Sequence, residues 1–183
     1  MTEGEGEEMV SNMALVIFAC ALITIFIFYI MSSRSEQKRS LLNKLYKMLG
    51  LALASWIIPV MMMRLVDADN TGLMFLLDCA MQPGGALCSP LYLCIAVTFV
   101  EGYERMQKWM KALFIVPVIT VLVVWTNPLH HLQYVEFSVV RSEILFGPYV
   151  YVSGICNYVY LIAAIIYMVR FAFKSKISLY WKQ

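Results

Sequence analysis

The stretch TGLMFLLDCAMQPGGALCSPLYLCIAVTFV, residues 71–100, holds a single charge, Asp78. As a straight helix it would be about 45 Å long, against roughly 30 Å of bilayer hydrocarbon, so it must tilt, kink or protrude. The run Gln82-Pro83-Gly84-Gly85 supplies a kink and Pro90 repeats the disturbance one heptad later, because a proline removes one backbone donor and crowds the carbonyl four residues back. Carbonyls freed at that depth need a neighbouring segment or a trapped water.

Four further apolar blocks flank this one, at residues 10–31, 41–63, 109–125 and 147–173, each of a length able to cross a bilayer. The fold class that follows is all-α, a polytopic membrane bundle of five transmembrane helices, with residues 1–183 as a single membrane domain. Hydrophobic residues make up 61% of the chain and charged ones 14%, where a soluble domain carries about 25% charged. The longest polar stretch, between Trp125 and Gly147, is too short to bury a core of its own, which excludes a soluble catalytic domain within these residues. The first block is read as a retained helix: its flank carries Glu3, Glu5, Glu7 and Glu8 where a secretory signal would be basic, and its apolar run is longer than a signal needs. All five cysteines, Cys20, Cys79, Cys88, Cys94 and Cys156, lie within apolar blocks, without a disulfide framework or a metal-ligand spacing.

Charge gives the orientation. Arg34, Lys38, Arg39, Lys44 and Lys47 follow the first block, Arg105, Lys108 and Lys111 stand between the third and fourth, and Arg170, Lys174, Lys176 and Lys182 close the chain. These are twelve of the fourteen basic residues, and they share one face. The opposite face has only Arg64 and Arg141, among the acids Glu3, Glu5, Glu7, Glu8, Asp67, Asp69, Glu136 and Glu143. Basic residues collect on the cytoplasmic side, so the N-terminus is expected outside and the C-terminus inside. The basic face reads as a topology determinant and a contact for anionic lipid, with no nucleic-acid partner.

Two polar stripes interrupt the apolar surface. Asp78, Gln82, Gly85 and Ser89 fall at i, i+4, i+7 and i+11, one helix face that should look into the bundle. An intramembrane carboxylate costs roughly 2.5–3.5 kcal/mol on insertion scales, which makes Asp78 a functional candidate; the plainer reading is a carboxylate that reaches interfacial water or a neighbouring helix. Ser153, Asn157 and Tyr160 repeat the spacing in the last block. They either hydrogen-bond across helices or share a polar cavity with Asp78.

The segment TNPLHHLQY, residues 126–134, holds both histidines, and Asn127-Pro128 should break the helix into a fixed turn at the membrane surface. Beyond it, Tyr134, Glu136 and Ser138 alternate with Val135, Phe137 and Val139, the period of a short strand or hairpin; an irregular interfacial loop is the alternative.

At the outer end of a fourth span in an N-out chain, this segment resembles the seven-helix N-terminal sensor region of bacterial membrane histidine kinases, also found ahead of diguanylate cyclases. The likeness is most specific at Asn127, Pro128, His130 and His131, and extends to Gly147-Pro148-Tyr149 and the closing Tyr180-Trp181-Lys182-Gln183. Gln133 departs from it, standing where an aromatic residue is common. The resemblance implies a partial version of the seven-helix domain, a fragment lacking its last two helices and its output domain.

The functional expectation is an input module in which a small molecule or a proton binds near the outer half of blocks three to five. Asp78, Gln82 and Asn157 would contact it, Asn127, His130 and His131 would shape the entrance, and helix shifts would carry the signal to a cytoplasmic kinase or cyclase, with a homodimer as a further expectation. Adjacent histidines also invite a metal or a pH switch, but neighbouring side chains rarely ligate one ion, and no metal or cofactor is assigned. With no phosphate loop, no dinucleotide fingerprint and no nucleophile–base pair, the chain reads as a non-enzyme. The competing readings are a small transporter or oligomeric channel built on Asp78, which lacks the internal repeats of transporter folds, and simple anchoring by helix packing.

Overall fold

The computed structural model describes residues 3–34, 40–67, 69–138 and 143–180. Its helices are α1 (Glu3–Arg34), α2 (Leu41–Met63), α3 (Thr71–Glu101), α4 (Lys108–Ala112), α5 (Ile115–Trp125), α6 (Asn127–His130) and α7 (Pro148–Tyr180), with a hairpin of β1 (Tyr134–Ser138) and β2 (Glu143–Phe146) between α6 and α7. Five segments are long and apolar enough to cross a membrane: Met13–Ile30, Leu41–Met63, Thr71–Glu101, Lys108–Trp125 and Pro148–Lys174. Lys38, Arg39, Val139, Arg141, Trp181, Lys182 and Gln183 lie outside the described residues.

Local chemistry sets the helix ends. Ser40 accepts from the Asn43 amide and Asn70 from the Leu73 amide, so each caps the first turn of its helix. Gly102 ends α3 in the left-handed region, φ 68°, and donates to the Thr98 carbonyl at 2.9 Å.

The fourth apolar block is one span but departs from a single helix. It is two helical pieces, α4 and α5, parted at Leu113 and Phe114. Pro117 explains the break, since it has no N–H for the Leu113 carbonyl four residues back. The Tyr160 hydroxyl of α7 donates to that carbonyl at 3.3 Å, so the side chain of one span repairs the backbone of another.

Helix α3 is the centre of the bundle. It packs on α2, α5 and α7, while α1 lies against α2 through an edge-on Phe28–Tyr46 contact at 5.8 Å and Lys47 over the Tyr29 ring. Gly84 lets α2 and α3 approach backbone to backbone, because a Cβ there would meet the Ala52 carbonyl, and Ser55 Oγ and Trp56 N at 2.6 Å. Tight packing gathers at the end of the bundle with the α1–α2 and α3–α4 connections, where Leu45, Leu91, Val97, Met110 and Cys94 are sealed against one another. Lys44, Lys47, Arg105, Lys108 and Lys111 mark this basic end. The opposite end carries the hairpin.

Candidate functional site

The expected polar face of α3 is turned inward. Asp78 is 3% exposed and Ser89 is also buried, with Gln82 and Gly85 half-buried beside them. Gln82 Nε2 lies 3.4 Å from Asp78 Oδ1 and 3.3 Å from the Tyr134 hydroxyl of β1, and so links the middle of a membrane span to the hairpin above it. Gln82 Nε2 thereby holds the Tyr134 hydroxyl beside the Asp78 carboxyl. Burial first, and the nearby Asp78 carboxylate second, push the Tyr134 phenol well above its ordinary value, so Tyr134 stays a protonated donor.

The hairpin sits on α3 through aromatic edges. Phe137 meets Phe75 at 5.5 Å and Tyr134 at 5.3 Å, both T-shaped, and Tyr134 lies 6.0 Å from Phe146. The strand alternation read from sequence puts Tyr134 and Phe137 on opposite faces. The structure places both toward α3, because the β1–β2 register is irregular between Tyr134 and Glu136, and the extra residue there, Val135, is pushed out and exposed.

Asn127 builds the loop beneath. Its Oδ1 accepts from the amides of Gln133 (2.9 Å) and Tyr134 (3.0 Å), and its Nδ2 donates to the Tyr134 carbonyl at 3.0 Å. From the other side, the amides of Gly147 and Tyr149 donate to the carbonyls of Gln133 and Leu132. A Cβ on Gly147 would collide with the Leu132 carbonyl, so only glycine fits there. The helix break expected at Asn127-Pro128 falls one residue earlier, at Thr126. Asn127 then begins one more helical turn, which closes on His131 in the left-handed region, φ 53°.

The two histidines part company. His130 Nδ1 accepts the Leu132 amide at 3.1 Å, which puts the ring proton on Nε2, 2.9 Å from Thr126 Oγ1. Thr126 in turn donates to the Leu122 carbonyl at 2.6 Å, so His130 closes the end of α5. His131 is exposed, and among the described residues its ring has no hydrogen bond. Asn157 is half-buried with no hydrogen bond to the Asp78 cluster among the described residues; of its stripe, Ser153 turns back to the Val150 carbonyl and Tyr160 to Leu113. No three His, Cys, Asp or Glu side chains among the described residues converge on a metal-sized position.

Sequence reasoning missed the hub, Tyr134, along with Gln133 and Trp125. The indole Nε1 of Trp125 donates to the Cys79 carbonyl at 2.9 Å, and Cys79 is the residue whose intrahelical partner Pro83 removes. The signal was present in the rule that a proline orphans the carbonyl four positions back; what the sequence lacked was which distant aromatic would answer it.

An inward polar stripe, a helix-breaking NPLHH turn and a hairpin seated over the membrane end of α3 all fall within the residues that the family comparison covers. The family described as the N-terminal 7TM region of histidine kinase matches residues 15–183. The chain belongs to that family. The histidine kinase 7TM region is a membrane sensor region placed in the bilayer ahead of a cytoplasmic output domain, and this chain contributes five membrane-length helices to it. No curated protein and no solved structure matches the chain.

Proposed function

We propose that the protein is a ligand- or proton-sensing input module that relays an extracytoplasmic signal to a cytoplasmic kinase or cyclase output. The observation that carries this reading is the Asp78–Gln82–Tyr134 connection, in which a buried acid on the central helix is tied to an external hairpin. Whatever changes the hydrogen bonding of Asp78 changes how Tyr134 and Phe137 seat on α3. Because α3 is one uninterrupted helix from Thr71 to Glu101, a tilt at the hairpin end is delivered to the packed basic end around Cys94 and Val97.

In this reading the hairpin end is outside and the basic end is cytoplasmic, in a bacterial inner membrane, with the output domain at the basic end. The twelve-to-two asymmetry of basic charge supports that orientation, twelve residues on one face and two on the other. Asp78, Gln82 and Tyr134 supply the responsive contacts, while Asn127, His130 and His131 hold the turn that presents them. Asn157 belongs to the module as a half-buried polar group on α7.

The unpartnered Asp78 Oδ2 also favours a second reading, a transport site. Two assays separate them. Output activity that changes with Asp78→Asn or Tyr134→Phe, in a protein whose proteoliposomes show no ion or solute flux, supports sensing. Flux that requires Asp78 overturns it.

A further inference from the structure

Helices α1 and α2 leave a groove between them that their packing does not fill. Along α2, Lys47, Leu51, Ala54 and Ile58 fall at i, i+4, i+7 and i+11, and along α1, Leu22, Phe26 and Tyr29 fall at i, i+4 and i+7; the two stripes line one cavity of about 560 Å³. The groove is hollow because Gly50 and Ala54 put little bulk between its walls. Phe26, Leu51 and Ile58 are exposed along it, so it opens sideways toward lipid. Its polar groups stand at one end, where Lys47 Nζ lies 5.8 Å from the centre of the Tyr29 ring. From Lys47 to Ile58 the groove follows α2 for about 16 Å, half of a hydrocarbon core of roughly 30 Å and so the depth of one leaflet.

Lys47 is half-buried and stands about 9 Å along the helix axis from Leu41, where an ammonium needs a partner. Among the described residues no carboxylate pairs with it. The face of the Tyr29 ring meets the charge but carries no full counter-charge. We propose that the groove binds one anionic phospholipid from the leaflet at the basic end, with its phosphate on Lys47 and the Tyr29 hydroxyl and one acyl chain laid along Leu51, Ala54 and Ile58. Charge complementarity selects the head group, since the ammonium and the phenol donate and phosphate oxygens accept. Lys44, exposed and one turn closer to the basic end, adds a second positive charge. Length selects the chain. A trough one leaflet deep fits a lipid tail, whereas a further transmembrane helix would need contact along the full span. A void that faces hydrocarbon also forfeits dispersion contacts until a chain fills it. The groove shares no residue with the Asp78 cluster, and the inference does not depend on the sensing reading.

The test is native mass spectrometry of the whole chain, released from detergent micelles that contain equal amounts of phosphatidylglycerol and phosphatidylcholine with the same acyl chains. The expected result is one retained phosphatidylglycerol per chain, in excess over phosphatidylcholine. Lys47→Gln should lower the apparent affinity about fivefold, the effect of one lysine beside an anionic head group. Ala54→Phe fills the trough, leaves both donors in place and should abolish retention. Lys108→Gln removes a charge from the same end of the bundle, away from the groove, and should leave retention unchanged. Lys47→Gln and Ala54→Phe act on different parts of the site, so either decides the matter should the other fail to fold. The proposal is overturned if neither lipid is retained, if both are retained equally, if Lys108→Gln weakens binding as much as Lys47→Gln, or if Ala54→Phe keeps the lipid. Retention of a second copy of the chain in place of lipid, lost in Ala54→Phe, also overturns it and assigns the groove to a dimer.

Discussion

Asn127 satisfies three backbone groups with one buried amide, and no other side chain in the described loop does the same work. Asn127→Ala would orphan two amides and a carbonyl at a buried site, at a cost of about 3 kcal/mol. Protease accessibility of the hairpin and unfolding in detergent–lipid mixtures should both report that loss, whereas His131→Ala, on an exposed ring, should change stability by less than about 0.5 kcal/mol. Tyr134 adds a pH dependence with a definite sign. Its phenol is raised in the folded state above the ordinary value of 10.0. The contribution to hairpin docking is therefore complete below about pH 10 and declines as pH rises through the folded-state value, where the phenolate would face Asp78. Titrating tyrosinate absorbance against near-ultraviolet circular dichroism should show alkaline loss of the docked hairpin, with the Tyr134→Phe chain lacking that transition.

At the scale of elements, prolines and aromatics work in pairs across spans. Pro83 strips the Cys79 carbonyl and Trp125 covers it; Pro117 strips the Leu113 carbonyl and Tyr160 covers it. Interhelical bonds of this kind are worth about 0.6 kcal/mol on average, with a maximum near 1.7. Trp125→Phe should cost on that order in a wild-type background and close to nothing beside Pro83→Ala, where the restored N–H can serve Cys79. A double-mutant cycle that finds the two changes additive would contradict the pairing. The five spans and the inward face of α3 were legible in the sequence because hydropathy and the 3.6 period act within one segment. The split of the fourth block followed from Pro117, which the sequence showed but did not rank as a break. The hairpin was legible as a period of two, yet the side chains that share its inward face were not, since one extra residue at Val135 exchanges the parity of everything after Tyr134. Partnerships such as Gln82 with Tyr134, fifty-two residues apart, are set by packing and leave no trace in local pattern.

For the molecule as a whole, the two ends differ in kind. One is basic, apolar inside and tightly packed; the other carries a polar buried cluster under a small hairpin. A module that receives at the second end and delivers at the first needs them on opposite sides of the membrane. Orientation is thus the premise on which sensing, the site and the output all depend. It is tested by placing single cysteines in an otherwise cysteine-free chain, at the exposed Val135 of the hairpin and at Lys108 of the basic end, and treating intact cells with a membrane-impermeant maleimide. The account predicts labelling of Val135→Cys in intact cells and of Lys108→Cys only after permeabilisation; the reverse pattern would contradict it.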